Sequence, residues 1–362
     1  MTLIRIPYER LPGWKADHHS DALPPFLKSC EKLTGRSPDE TMGSAKEMGR
    51  VSDWLPICRD AALIRPGNDT EAQYFFESRF DAYSASVELN RRGLFTGYYE
   101  PELHGAWTRD QRYRFPIYAR PKDLLSAALG SFDDKWRGQH IAGRLDGNKL
   151  VPYATRDEID NGALTGRQLE ILWVDNPIDA FFVHIQGSGR VTLADGSHVR
   201  IGYAGRNGHR YTAIGRELVA MQAMKLEDVT MPAIRSWLDV NPVAGQAVMR
   251  RNKAYIFFRI VEGDGPVGAQ GIVLTAGRSM AVDRKHIPLG IPLWLATTEP
   301  GTKGKKPLRR LVVAQDTGSA IKGAVRGDLF WGFGHAAGDK AGLMKEQGAY
   351  FLMLPKRPSP GS

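Results

Sequence analysis

The sequence predicts a mainly β protein with some α, divided into two domains. Three observations carry that reading. The chain has 362 residues, more than one ordinary compact domain holds and about right for two. It contains 39 glycines and 22 prolines, which implies many turns and favours short strands over long helices. Its texture also changes twice: after a β-prone segment that ends at Pro101, and at a Gly/Pro-rich junction, Glu262 to Gly268.

Before the first change, Phe26 to Leu33 and Ala72 to Leu89 have helical spacing, with Phe75, Phe76, Phe80 and Tyr83 expected on one core-facing stripe. Leu94 to Tyr99 reads as a strand. Residues 101–262 read as a unit of their own. Short β-like runs recur there at Phe115 to Tyr118, Ile171 to Val174, Ala180 to Gln186, and Val191 with Val199 to Tyr203. Ala194-Asp195-Gly196-Ser197 is a hairpin signal. Thr155-x-x-Glu158 is a capping box. Thr230 before Met231 and Pro232 opens a helix with Ile234, Trp237 and Leu238 on its buried face, and Asn241-Pro242 ends it. Ala254 to Val261 is a strong strand. From the junction onward the strands are short and the turns dense: Ile272 to Leu274, Pro292 to Ala296, Arg310 to Ala314 and Tyr350 to Leu354. That pattern suggests a small barrel.

Composition narrows the function classes. Apolar residues make up 42% and charged residues 25%, a globular balance that argues against disorder or a fibrous repeat. The net charge of +9 suits either plain solubility or an anionic partner. No nucleic-acid partner is expected, because the Lys/Arg residues are spread out and no recognition motif appears. The basic run Lys303 to Arg310 reads as a solvated loop. No apolar stretch of about 18 residues exists, so no membrane span is expected. Met1 to Trp14 carries charges and prolines where a signal peptide would need an apolar run. Cys30 and Cys58 lack zinc-ligand spacing; they are either buried small residues or one disulfide across a loop, which would need an oxidising compartment. No coiled-coil pattern appears, and a monomer is expected.

Two carboxylates stand out. Asp316 follows the run Leu311 to Ala314, and Asp328 sits in Arg326-Gly327-Asp328-Leu329-Phe330-Trp331-Gly332. A carboxyl among apolar side chains has its charged form disfavoured, so its pKa rises toward what a general acid needs. The plain alternative is a turn aspartate in solvent. Asp283, just before Ile287-Pro288, is either a turn former or a supporting group. Gln186-Gly187-Ser188-Gly189 and Tyr203-Ala204-Gly205-Arg206-Asn207-Gly208-His209 offer the aromatic faces and hydrogen-bonding groups that sugars need, although tight turns would look the same. Gly187-Ser188-Gly189 is not a nucleophile elbow, no Gly-x-Gly opens a dinucleotide-binding helix, and His184, His209 and His335 are scattered. No metal and no organic cofactor is implied.

These segments, with Phe95-Thr96-Gly97-Tyr98-Tyr99-Glu100-Pro101, Phe115 to Tyr118, Gly277-Arg278-Ser279 and Asp316 to Gly323, run in one order over about residues 90 to 355. Together they resemble the membrane-bound lytic murein transglycosylase A family. The resemblance implies a double-psi-like β-barrel catalytic domain formed by both chain ends, 1–100 and 263–362, with its three-aspartate part at about 268–355. It also implies an inserted β-barrel-like domain at 101–262 and a substrate groove between the two. Asp328 matches the family's catalytic aspartate, Asp316 a supporting one and Asp283 a third. Thr96, Tyr98, Tyr99, Gln186, Ser188, Gly189, Tyr203, Asn207, His209 and Lys322 are then expected to contact substrate.

The implied partner is the peptidoglycan glycan strand, and the implied place is the periplasm or envelope of a Gram-negative bacterium, where a Cys30–Cys58 disulfide is favoured. The implied reaction is lytic: cleavage of the β-1,4 bond between N-acetylmuramic acid and N-acetylglucosamine, with a 1,6-anhydromuramic end formed. Two alternatives stay open: a non-catalytic glycan-binding protein of the same fold, and a hydrolase using Asp316 and Asp328 together.

Overall fold

The computed structural model describes residues 1–86, 91–263, 265–302 and 306–356. The chain forms two compact units, Met1–Tyr99 with Val267–Ser362, and Glu100–Pro266. The helical reading of 87–89 and the start of the basic run, 303–305, lie outside the described residues.

The first unit is built on eight strands: β1 (Thr2–Ile6), β2 (Phe80–Ser86), β3 (Gly93–Glu100), β4 (Ser279–Val282), β5 (Pro292–Thr298), β6 (Pro307–Asp316), β7 (Arg326–Phe333) and β8 (Lys345–Pro355). Their order is β1-β2-β8-β5-β6-β4-β7-β3, and β8 also pairs with β3. Six strands therefore close into a barrel, which leaves those strands no free edge. Strand β8 makes both connections, because its first half pairs with β3 and its second half with β2. The interior is large and apolar, with Trp54, Trp294, Tyr350, Phe26, Phe80 and Phe95 fully buried. Helices Leu23–Thr34 and Val51–Ala61 are joined by the Cys30–Cys58 disulfide.

The second unit holds a six-stranded sheet. Its order is Ile256–Val261, His198–Arg206, Ser188–Leu193, Glu102–Ala106, Glu170–Val174 and Phe115–Tyr118. A bridge between Ala119 and Phe258 brings the two ends together. A small antiparallel sheet, Leu125–Ala128, His140–Asp146 and Lys149–Pro152, stands beside it. The hairpin at Asp195-Gly196 forms as expected, with the Asp195 carboxylate accepting from the Ser197 amide at 2.9 Å and Gly196 at φ 81°.

Four expectations need correction. The run at Ala72–Leu89 is not one helix: it ends at Arg79, and Phe80–Ser86 is strand β2. Phe75, Phe76 and Phe80 still cluster, with centroids 5.0 to 6.0 Å apart, but across two elements. Ala180 to Gln186 is the end of a helix, Pro177–Gln186. The punctuation was present: Asn176 caps it by accepting from the amides of Ile178 and Asp179, Pro177 opens it, and Gly187 takes the left-handed turn that ends it. Ile272 to Leu274 forms no strand, only a bridge from Val273 to Val267. Pro307 to Arg310, read as part of a loop, opens β6.

Candidate active site

Strand pairing alone places the two main carboxyls. Ala281 on β4 lies opposite Asp328 on β7 and, after a bulge, opposite Asp316 on β6. The aspartates thus flank one residue from either side. Two strand spacings put their backbones roughly 10 Å apart.

Strand β3 supplies partners for both. Its residues alternate faces, so Thr96 and Tyr98 point the same way. The Thr96 hydroxyl donates to Asp328 Oδ1 at 2.5 Å, and the Tyr98 hydroxyl donates to Asp316 Oδ2 at 2.9 Å. The Tyr98 ring also packs on Phe330, with centroids 5.2 Å apart. Gly97 makes this approach possible. A Cβ there would lie 2.6 Å from the Trp331 indole nitrogen and 2.9 Å from the Ala341 Cα, so only glycine lets β3 lie so close.

Asp328 is half-buried at the surface, yet its carboxyl is surrounded by protein. Burial, helped by the negative charge of Asp316, pushes it up to about 6, against the pull of the Thr96 hydroxyl and the Arg326 guanidinium. Arg326 reaches the same spot. Its Nη2 donates to Thr96 Oγ1 at 2.8 Å, and its Nη1 to the carbonyls of Leu94 and Gly327. Asp316 is also raised by burial, though three donors oppose the rise: the amides of Ala269 and Thr317, each at 2.8 Å, and Tyr98. Both its oxygens are occupied.

Asp283 has a different character. Burial works against its charge, but the amides of Gly323 and Lys285 and the charge of Lys322 outweigh that and hold it below the usual carboxylate range. Gly323 accepts this hold at φ 112°, a conformation that favours glycine. Asp283 therefore fastens the 317–325 segment that joins Asp316 to Asp328, which is a framework duty. Lys322 is exposed on that segment.

The structure thus brings together Thr96, Tyr98, Asp316 and Asp328. Tyr99 faces the other side of β3, with its ring beside Gly338. In the second unit, Gln186 ends its helix, Ser188 and Gly189 open the next strand, and Tyr203 is 52% exposed, a free aromatic face. Asn207 is not available as a ligand contact. It is 1% exposed, its Nδ2 donates to the carbonyls of Ala154 and Lys253, and its Oδ1 accepts from the Tyr255 amide. It shapes the loop instead. His209 bonds the Tyr153 carbonyl at 2.7 Å and lines a cavity within the second unit.

Sequence reasoning gives Arg326 only as part of the motif around Asp328 and misses its place beside Thr96. The signal was its spacing, since residues two apart on a strand share a face. The Ala269 amide and the buried Glu100–Arg200 ion pair of the second unit carried no local signal.

Residues 94–259 match the MltA specific insert domain and residues 278–354 the 3D domain. The chain is 30% identical over 335 residues to membrane-bound lytic murein transglycosylase A of Escherichia coli K12, covering 91% of this chain and 81% of that protein. It is similar to the crystal structure of a membrane-bound lytic murein transglycosylase from Agrobacterium tumefaciens, with a TM-score of 0.86, 32% identity and 98% of each chain covered. It is likewise similar to a crystal structure of MltA from Neisseria gonorrhoeae, with a TM-score of 0.83, 37% identity, and 99% of this chain and 94% of that one covered.

Proposed function

The chain belongs to the membrane-bound lytic murein transglycosylase A family, and from that premise we propose that it cleaves peptidoglycan glycan strands by a lytic, lyase-type reaction. Protonated Asp328 donates its proton to the oxygen of the β-1,4 bond between N-acetylmuramic acid and N-acetylglucosamine. The bond to the anomeric carbon breaks and positive charge develops there. The 6-hydroxyl of the same muramic residue attacks that carbon, its proton passes to ionised Asp328, and a 1,6-anhydro ring closes. No water is consumed.

The observation that carries this reading is the Asp328 carboxyl enclosed by protein beside Thr96 and Arg326, where burial pushes it up to about 6, so that it is able to give a proton and then take one back. The Thr96 hydroxyl and Arg326 support the ionised form between the two steps. Asp316, occupied by three donors, is a supporting group and a poor candidate for activating water. Ordinary glycosidases need a second carboxylate; an internal nucleophile removes that need. Tyr203, Gln186 and Ser188 are proposed sugar contacts. Among the described residues no helix is long and apolar enough to cross a membrane. We place the chain in the Gram-negative periplasm, which the disulfide supports.

Incubation with purified sacculi and mass spectrometry of the products tests the reading. Muropeptides with anhydro ends are expected. Reducing muramic ends would assign the two-carboxylate hydrolase instead, and intact sacculi the glycan-binding protein.

A further inference from the structure

His209, expected from sequence to contact substrate, stands with the wall of a separate cavity. The cavity measures about 620 Å³ and lies wholly within the second unit. That volume is in the range that holds a small molecule or a few residues of peptide. Its charged walls are Asp123, Arg144, Glu158 and Arg167; Tyr153, Thr155 and His209 add polar groups, and proline, alanine and leucine carbon completes the lining.

Two of the four charges cancel. Arg167 donates to Asp123 at 2.7 Å and to the Tyr153 hydroxyl at 3.0 Å, and that hydroxyl donates to Asp123 at 3.0 Å, a closed three-membered network. The other two do not meet. Arg144 is exposed on its strand and has no ion pair among the described residues. Glu158 accepts the amide and hydroxyl of Thr155 on one oxygen, which holds it below the usual carboxylate range and so keeps it ionised. The cavity therefore presents a guanidinium without an ion pair and a carboxylate whose second oxygen accepts no hydrogen bond, with His209 and Lys253 as its nearby positive charges, against a partly apolar surface. A guanidinium forks onto a carboxylate, and a carboxylate takes an ammonium. Glycan offers neither as a pair on one carbon; an amino-acid end does.

We propose that this cavity binds the free ammonium–carboxylate end of a diamino acid in a peptidoglycan stem, with the ligand carboxylate on Arg144 and its ammonium on Glu158. The inference rests on peptidoglycan being the substrate.

Isothermal titration of the full chain with the tripeptide L-alanyl-γ-D-glutamyl-meso-diaminopimelate tests it. Binding is expected, and Arg144→Ala should weaken it about tenfold or more, the scale of one lost charge-assisted hydrogen bond. Acetylating the diaminopimelate amine, with the alanine N-terminus left free, should weaken it similarly. Absence of binding by the wild type at millimolar concentration, or binding that Arg144→Ala leaves unchanged, overturns the proposal. Cleavage of sacculi separates this from the proposed function. A chain that forms anhydro ends but ignores the tripeptide removes only the cavity's role. A chain that binds the tripeptide but leaves sacculi intact removes only the reaction.

Discussion

Asp328→Asn is expected to lower anhydromuropeptide formation by roughly a hundredfold or more, the scale of lost general acid–base catalysis. Asparagine keeps the shape and still accepts the Thr96 hydrogen bond, so the loss reads out the proton and not the packing. Stability provides the control. A carboxyl whose folded pKa is raised binds protons more tightly folded than unfolded, so the stability it contributes is present at low pH and lost as pH rises between 3.8 and about 6. Above that window the buried charge is a burden on the order of 3 kcal/mol. The neutral variant should therefore unfold at the same or a higher temperature than the wild type at pH 7.5. An inactive variant that is also less stable would point to a structural role, and retained turnover would remove Asp328 as the acid.

Breaking the disulfide should have the largest effect on stability. Cys30 and Cys58 are buried on two packed helices, 28 residues apart in sequence. A cross-link closing a loop of that size stabilises by about 3–4 kcal/mol, mainly by restricting the unfolded chain. Cys30→Ala with Cys58→Ala should lower the urea midpoint, and reductant should lower the wild-type midpoint while leaving the double variant unmoved. Equal midpoints for both proteins without reductant would mean that the bond contributes nothing.

Much of this molecule was legible in its sequence, and the failures have physical causes. The mainly β character follows from glycine- and proline-punctuated apolar runs, and the hairpin at Asp195-Gly196 and the cap at Thr155 are local chemistry that sequence states directly. Asp328 stands out because Leu329, Phe330 and Trp331 follow it, and Asp316 because it ends a β-like run with glycine nearby. What could not be read is separation in space. Thr96 meets Asp328 across 232 positions, and only the placement of β3 beside β7 brings them together. The helix Pro177–Gln186 was mistaken for a strand because its Phe-Phe-Val content is β-prone, although its caps were visible. Asn207 looked like a ligand contact because an amide in a glycine-rich loop serves a sugar or a backbone equally well; burial decides for the backbone.

The mechanism depends on one carboxyl that still carries its proton where ordinary aspartates have lost theirs. Carbon-13 NMR titration of aspartate-labelled protein, with the Asp328 signal assigned by its absence from Asp328→Asn, measures this directly. A midpoint near 6 is the expected result. A midpoint at the ordinary aspartate value, near 3.8, would leave the site without a proton to give and contradict the account.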